Sequence, residues 1–402
     1  MPIYRYKAKT KEGKTFSEKI EASDKSFVLA HIKEKGYYPI SIEEQGFLQK
    51  EITFDFLEGV NLKDIAIFCR QFATIINAGV PVLSCLELLR QQSTNKKLKT
   101  ILGDMHEKVQ EGNTLSSAMK ENEEFPVILL NMVEAGEMSG TLDVSLERMA
   151  VHFEKENRIN NKIRGAMTYP MIVAIIASVV IAVLITFVVP NFVALFAGFG
   201  MELPATTKAL ILLSDTVRNY WFLLLALGGV GVFFFRYYVK SDIGKITLDG
   251  LKLRIPIFGV VSQKVIASRF TRTMSTLLAS GLPLLTALDV VAKVVDNHVI
   301  EKGLNKVAQE VSQGMSLAQT ITDIGFFPPM VVQMIAIGED TGALESILEK
   351  TADFYDTEVE AAIEKMTTML EPLIMVVMAV IVGFIIISII QPMFGMFGGV
   401  VG

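Results

Sequence analysis

The chain has 402 residues, of which 51% are hydrophobic and 20% charged, with a mean hydropathy of +0.43. That is too apolar for an ordinary soluble protein and too charged to lie wholly in a bilayer. A net charge of −5 leaves no basic footprint, which argues against nucleic acid as a partner.

Residues 1–46 read as a small α/β unit. Tyr4 and Tyr6 alternate with Arg5 and Lys7, the period of a half-buried strand, and Thr15 to Glu21 repeats the pattern. This start has no apolar h-region and is not read as a signal peptide. A helix is expected after Ser23 as N-cap, ending at Gly36. YYPISIE then reads as an edge strand, because Pro39 has no N–H for a ladder. Ala8 to Thr15 imitates a phosphate-binding loop, but its Gly13-Lys14-Thr15 leads into a strand rather than a helix, so it is read as a hairpin turn.

Residues 47–60 are expected to be a linker, with Phe47, Phe54, Phe56 and Leu57 among charges. A first helical module is assigned to 61–168. Ile65, Phe68, Cys69, Phe72, Ile75 and Ile76 follow helical spacing. Gly79 and Pro81 break that helix and open the next. Further helices are expected over Leu83–Gln91, Leu98–Gln110, Leu115–Lys120 and Val127–Ala135, joined at Gly112 and Phe125-Pro126. Such short loops favour an antiparallel bundle. After Gly136-Glu137 and Gly140, one helix is expected to run on to the membrane.

Three transmembrane helices follow from apolar runs: 169–190, 220–239 and 372–391. The first is apolar from Met171 to Val189, roughly 19 residues against the about 20 that cross a bilayer as helix. Tyr220, Trp221, Tyr237 and Tyr238 flank the second like an interfacial belt. A loop at 191–219 and a tail at 392–402 fall on one side, and a second helical module at 240–371 on the other. Lys155, Arg158, Lys162, Arg164, Arg236, Lys240, Lys245 and Lys365 gather on the module side, against Lys208 and Arg218 opposite. Both modules are therefore expected in the cytoplasm, with loop and tail periplasmic. The two cysteines, Cys69 and Cys85, lack CxxC spacing and read as buried free thiols in a reducing compartment.

The second module repeats the first. RQFATIINAGVPVL begins at Arg70 and RTMSTLLASGLPLL at Arg272, an offset of 202. With it Gly79 and Pro81 fall on Gly281 and Pro283, and Gly112 on Gly314. Phe125 and Pro126 fall on Phe327 and Pro328, and Gly136, Glu137 and Gly140 on Gly338, Glu339 and Gly342. Pro170 falls on Pro372. An ungapped register of this length marks an internal duplication. The expected fold is mainly α: a polytopic membrane protein with two duplicated cytoplasmic helical bundles, three transmembrane helices and a small N-terminal α/β unit.

Catalytic signatures are missing. His31, His106, His152 and His298 are too scattered for metal ligation and read as surface or helix-face residues. No GxSxG, HExxH or dinucleotide fingerprint occurs, so neither enzyme activity nor a cofactor is expected. The three spans carry no ionisable residue in their cores, against a small-solute transporter. Two readings stand for AGEMSGTL and IGEDTGAL. In one, the first glycine ends a helix and Ser139 or Thr341 helps cap the next. In the other, Glu137 and Glu339, with Glu134 and Asp340, form an acidic edge for a partner or a divalent cation. Pro170 and Pro372 mark the entry to their spans, each a hinge if the preceding helix continues.

With both Arg70 and Arg272 motifs, the paired Gly-Glu segments, three spans, and YRYKAKTKEGK and EKGYYPISIEE at the start, the chain resembles the inner-membrane platform proteins of type IV pilus and type II secretion machines, the PilC/GspF family, over essentially its whole length. The resemblance implies an assembly platform in the bacterial inner membrane with no catalysis of its own. Its implied partners are a cytoplasmic hexameric assembly or retraction ATPase, pilin or pseudopilin subunits, other inner-membrane machine components, membrane lipid and further copies of itself.

Overall fold

The structure is a computed structural model that describes residues 3–9, 15–21, 24–44, 59–192, 204–256 and 258–398. The linker phenylalanines, part of the 191–219 loop and the last four residues lie outside these. The chain divides into two compact units, 1–59 and 60–402.

In the first unit β1 (Ile3–Lys9) lies between β2 (Thr15–Glu21) and β3 (Tyr38–Glu44), all antiparallel. Lys9 faces Thr15 across β1 and β2, so the phosphate-loop imitation joins two antiparallel strands and no helix N-terminus follows it. Helix α1 (Lys25–Glu34) is capped by Asp24, whose carboxylate accepts from the Phe27 N–H at 2.8 Å, one residue later than Ser23. β3 is an edge strand, which accommodates Pro39. Tyr6, Ala8, Val28 and Ile32 form the core.

The second unit is helical. The first copy comprises α2 (Leu62–Asn77), α3 (Val82–Gln92), α4 (Lys96–Gln110), α5 (Leu115–Lys120), α6 (Val127–Ser139) and α7 (Leu142–Val183). Helices α8 (Ala205–Lys240) and α9 (Asp242–Arg254) follow. The second copy is α10 (Phe258–Ala279), α11 (Leu284–Val294), α12 (His298–Ser312), α13 (Leu317–Ile324), α14 (Pro329–Thr341) and α15 (Leu344–Gly398). From α3 to α7 each helix begins 202 residues before its counterpart. Local chemistry accounts for the breaks. Asn61 and Asp64 form a capping box at α2. Gly79 and Gly281 take φ of +83° and +78°, a conformation that favours glycine, and Pro81 and Pro283 begin the next helices. Helix α2 packs on α7 as α10 packs on α15. The buried residues of both copies form one continuous apolar cluster.

Helix α7 does not stop at the module. It runs through a π-turn at Leu184–Val188 to Phe192, and α15 runs on likewise. Among the described residues these two helices, Leu142–Phe192 and Leu344–Gln391, are long and apolar enough to cross a membrane. Only 11% of each apolar window is buried, so neither is the core helix of a soluble domain. The expected second span falls in α8, whose apolar run, Ala226–Val239, is shorter. Helix α8 starts after Pro204 and bends at Tyr220 (φ −119°, ψ 18°), so residues 205–219 are helix where a loop was expected. Lys208, Asp215 and Arg218 sit on that helix. The π-turn is met by a side chain from α8: the Ser214 hydroxyl donates to the Ile185 carbonyl at 2.7 Å, satisfying a backbone group at the irregularity. Thr207 donates to the Ser388 carbonyl at 2.6 Å, tying α8 to α15.

Candidate functional site

The Gly-Glu segments are built as helix junctions. Gly136 lies inside α6 and Gly338 inside α14. The residues that end these helices are Gly140 and Gly342, at φ of +73° and +64°. The expectation that the first glycine stops the helix is therefore corrected. Its role is close approach: a Cβ on Gly136 would lie 2.6 Å from Ser145 Oγ and 3.0 Å from Leu142 Cα, and one on Gly338 would lie 2.9 Å from Leu344 Cα. Ser139 and Thr341 do not cap the following helix either. Their hydroxyls donate back to the carbonyls of Ala135 and Ile337, at 2.7 and 2.6 Å.

Glu137 and Glu339 point inward to another helix. Glu137 accepts from the Leu115 and Ser116 N–H groups at 2.6 and 3.0 Å, and from the Ser116 hydroxyl at 2.6 Å. Glu339 accepts from the Leu317 and Ala318 N–H groups at 2.6 and 2.8 Å, and from the Ser316 hydroxyl at 2.8 Å. Each carboxylate thus closes the N-terminus of the short helix α5 or α13, where two backbone donors need acceptors and the helix dipole favours a negative charge. Of the two readings, these bonds give Glu137 and Glu339 a structural role at a helix end. Glu134 pairs with Lys120 at 2.9 Å, and Asp340 is exposed. No group of three or more His, Cys, Asp or Glu among the described residues is placed to share a metal.

The two arginines each make two acidic contacts, one of them equivalent. Arg70 reaches Glu154 through Nε at 2.9 Å and Nη2 at 2.8 Å, and also binds Glu147. Arg272 Nη2 meets Asp353 at 2.8 Å and Asp356 at 2.5 Å. Glu154 and Asp356 are themselves 202 apart, so each copy clamps its first helix to its last. The side-chain hydrogen bond from Arg70 holds the Glu154 carboxyl below the usual range. Phe125 and Phe327 are buried against Phe68 and Phe270, with ring centroids 5.7 and 4.8 Å apart. Pro126 and Pro328 cap α6 and α14, while Pro170 and Pro372 lie inside α7 and α15. Cys69 and Cys85 are buried and free, and burial pushes both thiols up, which keeps them unreactive.

The seam between the two modules gives Lys155, Lys162 and His152 contacts that sequence reasoning did not assign to them. Lys155 pairs with Asp353 at 2.7 Å, Lys162 with Glu360 at 2.5 Å, and Arg269 with Glu156 at 3.4 Å. His152 is only 5% exposed: of the two expectations, surface or helix face, it takes the second, on a buried face of α7. Burial, with Arg272 and Arg269 nearby, lowers its pKa to about 3, so the ring is neutral, and Glu156 at 3.7 Å is too far for a hydrogen bond. Both ring nitrogens, Arg148 Nη1, Arg272 Nε and Thr273 Oγ1 are buried without a hydrogen-bond partner among the described residues. His152, Arg272 and Thr273 share one small pocket at this seam. The 202 spacing of Glu154 and Asp356 was the available signal for its arginine clamps; nothing in local pattern marks His152.

Two copies of the type II secretion system protein F family model match, at 68–190 and 270–392, and its N-terminal domain model matches 1–43. The chain belongs to this family. The matched halves start 202 residues apart, the spacing of the repeat. The family member named type IV pilus assembly protein PilC in Thermus thermophilus is 39% identical, over 99% of both chains. The one of the same name in Myxococcus xanthus is 38% identical, over 99% of this chain and 95% of that protein. Type II secretion system protein F of Aeromonas hydrophila is 34% identical, over 91% and 95%.

Proposed function

We propose that the chain is the inner-membrane assembly platform of a type IV pilus machine, coupling a cytoplasmic hexameric ATPase to insertion of pilin subunits into the fibre. Both modules face the cytoplasm and three helices cross the membrane, α8 supplying the middle one. The observation that carries this reading is continuity: each helical module runs without a break into an apolar helix. Displacement imposed on a module in water thus reaches the bilayer along one covalent element. Relatives named for pilus assembly, 38% and 39% identical, favour the pilus over the equivalent role in type II secretion. The Gly-Glu junctions shape the modules, and the ATPase contact is assigned to exposed positions beside them, Met138, 86% exposed, and Asp340.

Photo-crosslinkers at Met138 and Asp340, and in the apolar stretches of α7 and α15, test the reading in cells. Capture of a hexameric ATPase by the first pair and of pilin by the second is expected. Capture of a pseudopilin instead would move the chain to the secretion machine. Capture of neither, in cells making fibres, would sink the reading.

A further inference from the structure

The contacts of α8 with the two long helices set the depth at which it starts. Thr206 donates to the Gln391 side chain at 2.9 Å and Thr207 to the Ser388 carbonyl at 2.6 Å. Leu210 is buried with Val189 and Ile385, and Ser214 donates to the Ile185 carbonyl at 2.7 Å. As α8 advances, its partners on α7 and α15 therefore fall back from the far ends of those helices toward the modules. The apolar run of α7, Met171 to Val189, is about 28 Å long at 1.5 Å per residue, close to the roughly 30 Å of a hydrocarbon core. Its end away from the module lies at Val189, and Ile185 is four residues, or about 6 Å, inside that end. Ser214 shares the depth of Ile185. Asp215 follows it directly, and Arg218 lies one turn further in, before the bend at Tyr220.

Residues 205–219 thus begin the crossing of α8, and bring two charged side chains inside it. The span expected at 220–239 has no charge in its core; the helix as built adds a stretch that does. Asp215 and Arg218 are both exposed, and neither forms an ion pair with any described residue, although they stand only three residues apart. Charged residues at such depth are costly in lipid, and they face a bundle interior, a polar cavity or an opposite charge. Helices α7 and α15 supply polar partners for Thr207 and Ser214, but none for Arg218. A guanidinium does not shed its charge, so Arg218 is the group whose need for a partner persists. Further along α8, Gly228, Gly229 and Gly231 have nothing within 4 Å of where a Cβ would stand, which leaves this helix open to close approach by another.

We propose that Arg218 receives a carboxylate carried inside the bilayer by an apolar helix of a partner, which packs along the open side of α8. The inference rests on the reading that α7, α8 and α15 cross the membrane, and adds the residue at which a partner is recognised there. Charge selects the occupant. A wholly apolar helix gains packing alone, whereas opposite charges meeting in a low dielectric attract strongly. Asp215, beside the arginine, turns away a helix that presents a second carboxylate at its own position, so the site takes one acid at one depth.

The test uses the full-length protein in lipid vesicles and a synthetic 20-residue leucine–alanine helix with one glutamate near its middle. Alkaline buffer keeps the glutamate ionised, and binding is read by fluorescence energy transfer. The glutamate helix is expected to bind about tenfold more tightly than the same helix with glutamine, and Arg218→Gln should erase the difference. Arg218→Lys, which keeps the charge, should retain most of it. Equal binding of the two helices, or a preference that survives Arg218→Gln, would overturn the proposal. The depth is checked separately with a membrane-impermeant maleimide. Lys208→Cys should label at least about tenfold faster than Arg218→Cys and Ile185→Cys. Labelling of Arg218→Cys as fast as Lys208→Cys would overturn the proposal, while protection of Ile185→Cys in the same experiment would leave the crossing of α7 standing.

Discussion

Replacing Glu137 by alanine separates the two roles considered for the Gly-Glu segment. The carboxylate holds the Leu115 and Ser116 N–H groups at 2.6 and 3.0 Å, at the start of the six-residue helix α5. Hydrogen bonds to a charged acceptor are worth about 1.5–3 kcal/mol each, and loss of a helix cap costs about 0.5–2. The two bonds act on one helix end and do not add, and Thr114 still caps the Ser117 N–H. The net loss is therefore about 2–3 kcal/mol, or roughly 30- to 150-fold in a local opening equilibrium. Hydrogen–deuterium exchange on the full-length protein in detergent reads this directly, as lost protection at Leu115 and Ser116. Glu137→Gln, which keeps one acceptor oxygen, should lose about half as much. Glu339→Ala should do the same at Leu317 and Ala318. The control is Glu123→Ala, at an exposed position. If Glu137→Ala exchanges no faster than this control yet abolishes a partner contact, the capping argument fails and the acidic-edge reading returns.

Gly136→Ala should destabilise the first module by about 1–3 kcal/mol, the range for overpacking, because its Cβ would meet Ser145 and the Leu142 backbone. Gly140→Ala should cost about 1 kcal/mol through its left-handed φ alone; thermal denaturation ranks the two. Arg272→Met removes a guanidinium only 10% exposed from Asp356, while Asp353 keeps Lys155, and should cost about 1.5–3 kcal/mol, the range for hydrogen bonds to charged groups. Arg70→Met, at a half-exposed clamp, should cost about 1 kcal/mol or less; equal losses in denaturant titrations would refute the distinction. His152 has a folded pKa of about 3 against about 6.5 unfolded. Between these values the unfolded chain binds the proton and the native one does not, so stability rises with pH through this window and is lost on acidification. His152→Phe, the residue found at 354, should flatten that part of the stability–pH curve; an unchanged slope would show that another group titrates.

What could be read from sequence was what chain chemistry writes locally. Glycines 79, 112 and 140 and their counterparts interrupt helical periodicity because only glycine sits easily at positive φ, and each interruption is visible at its place. Gly136 was misread by the same rule. A glycine that breaks a helix and a glycine that lets another helix approach look alike until the approaching Leu142 and Ser145 are seen. Glu137 was left with two readings because its acceptor role depends on an N-terminus about twenty residues upstream, delivered by packing of α5 on α6. Helix 205–219 was missed because it lies between two apolar runs and its buried face, Thr207, Leu210 and Ser214, is supplied by contacts distant in sequence. The seam was illegible for a related reason: neutrality of His152 is a property of the second module folded over it.

Helix α7 has 42 residues, which at 1.5 Å per residue makes a rod of about 63 Å. Lys155–Asp353 and Lys162–Glu360 lace it alongside α15 at two points seven residues apart on each helix. Both laces advance in step, so a displacement of one helix along the other lengthens both pairs together. The softest place on α7 to absorb a bend instead is Pro170, where the ladder of backbone hydrogen bonds lacks a rung.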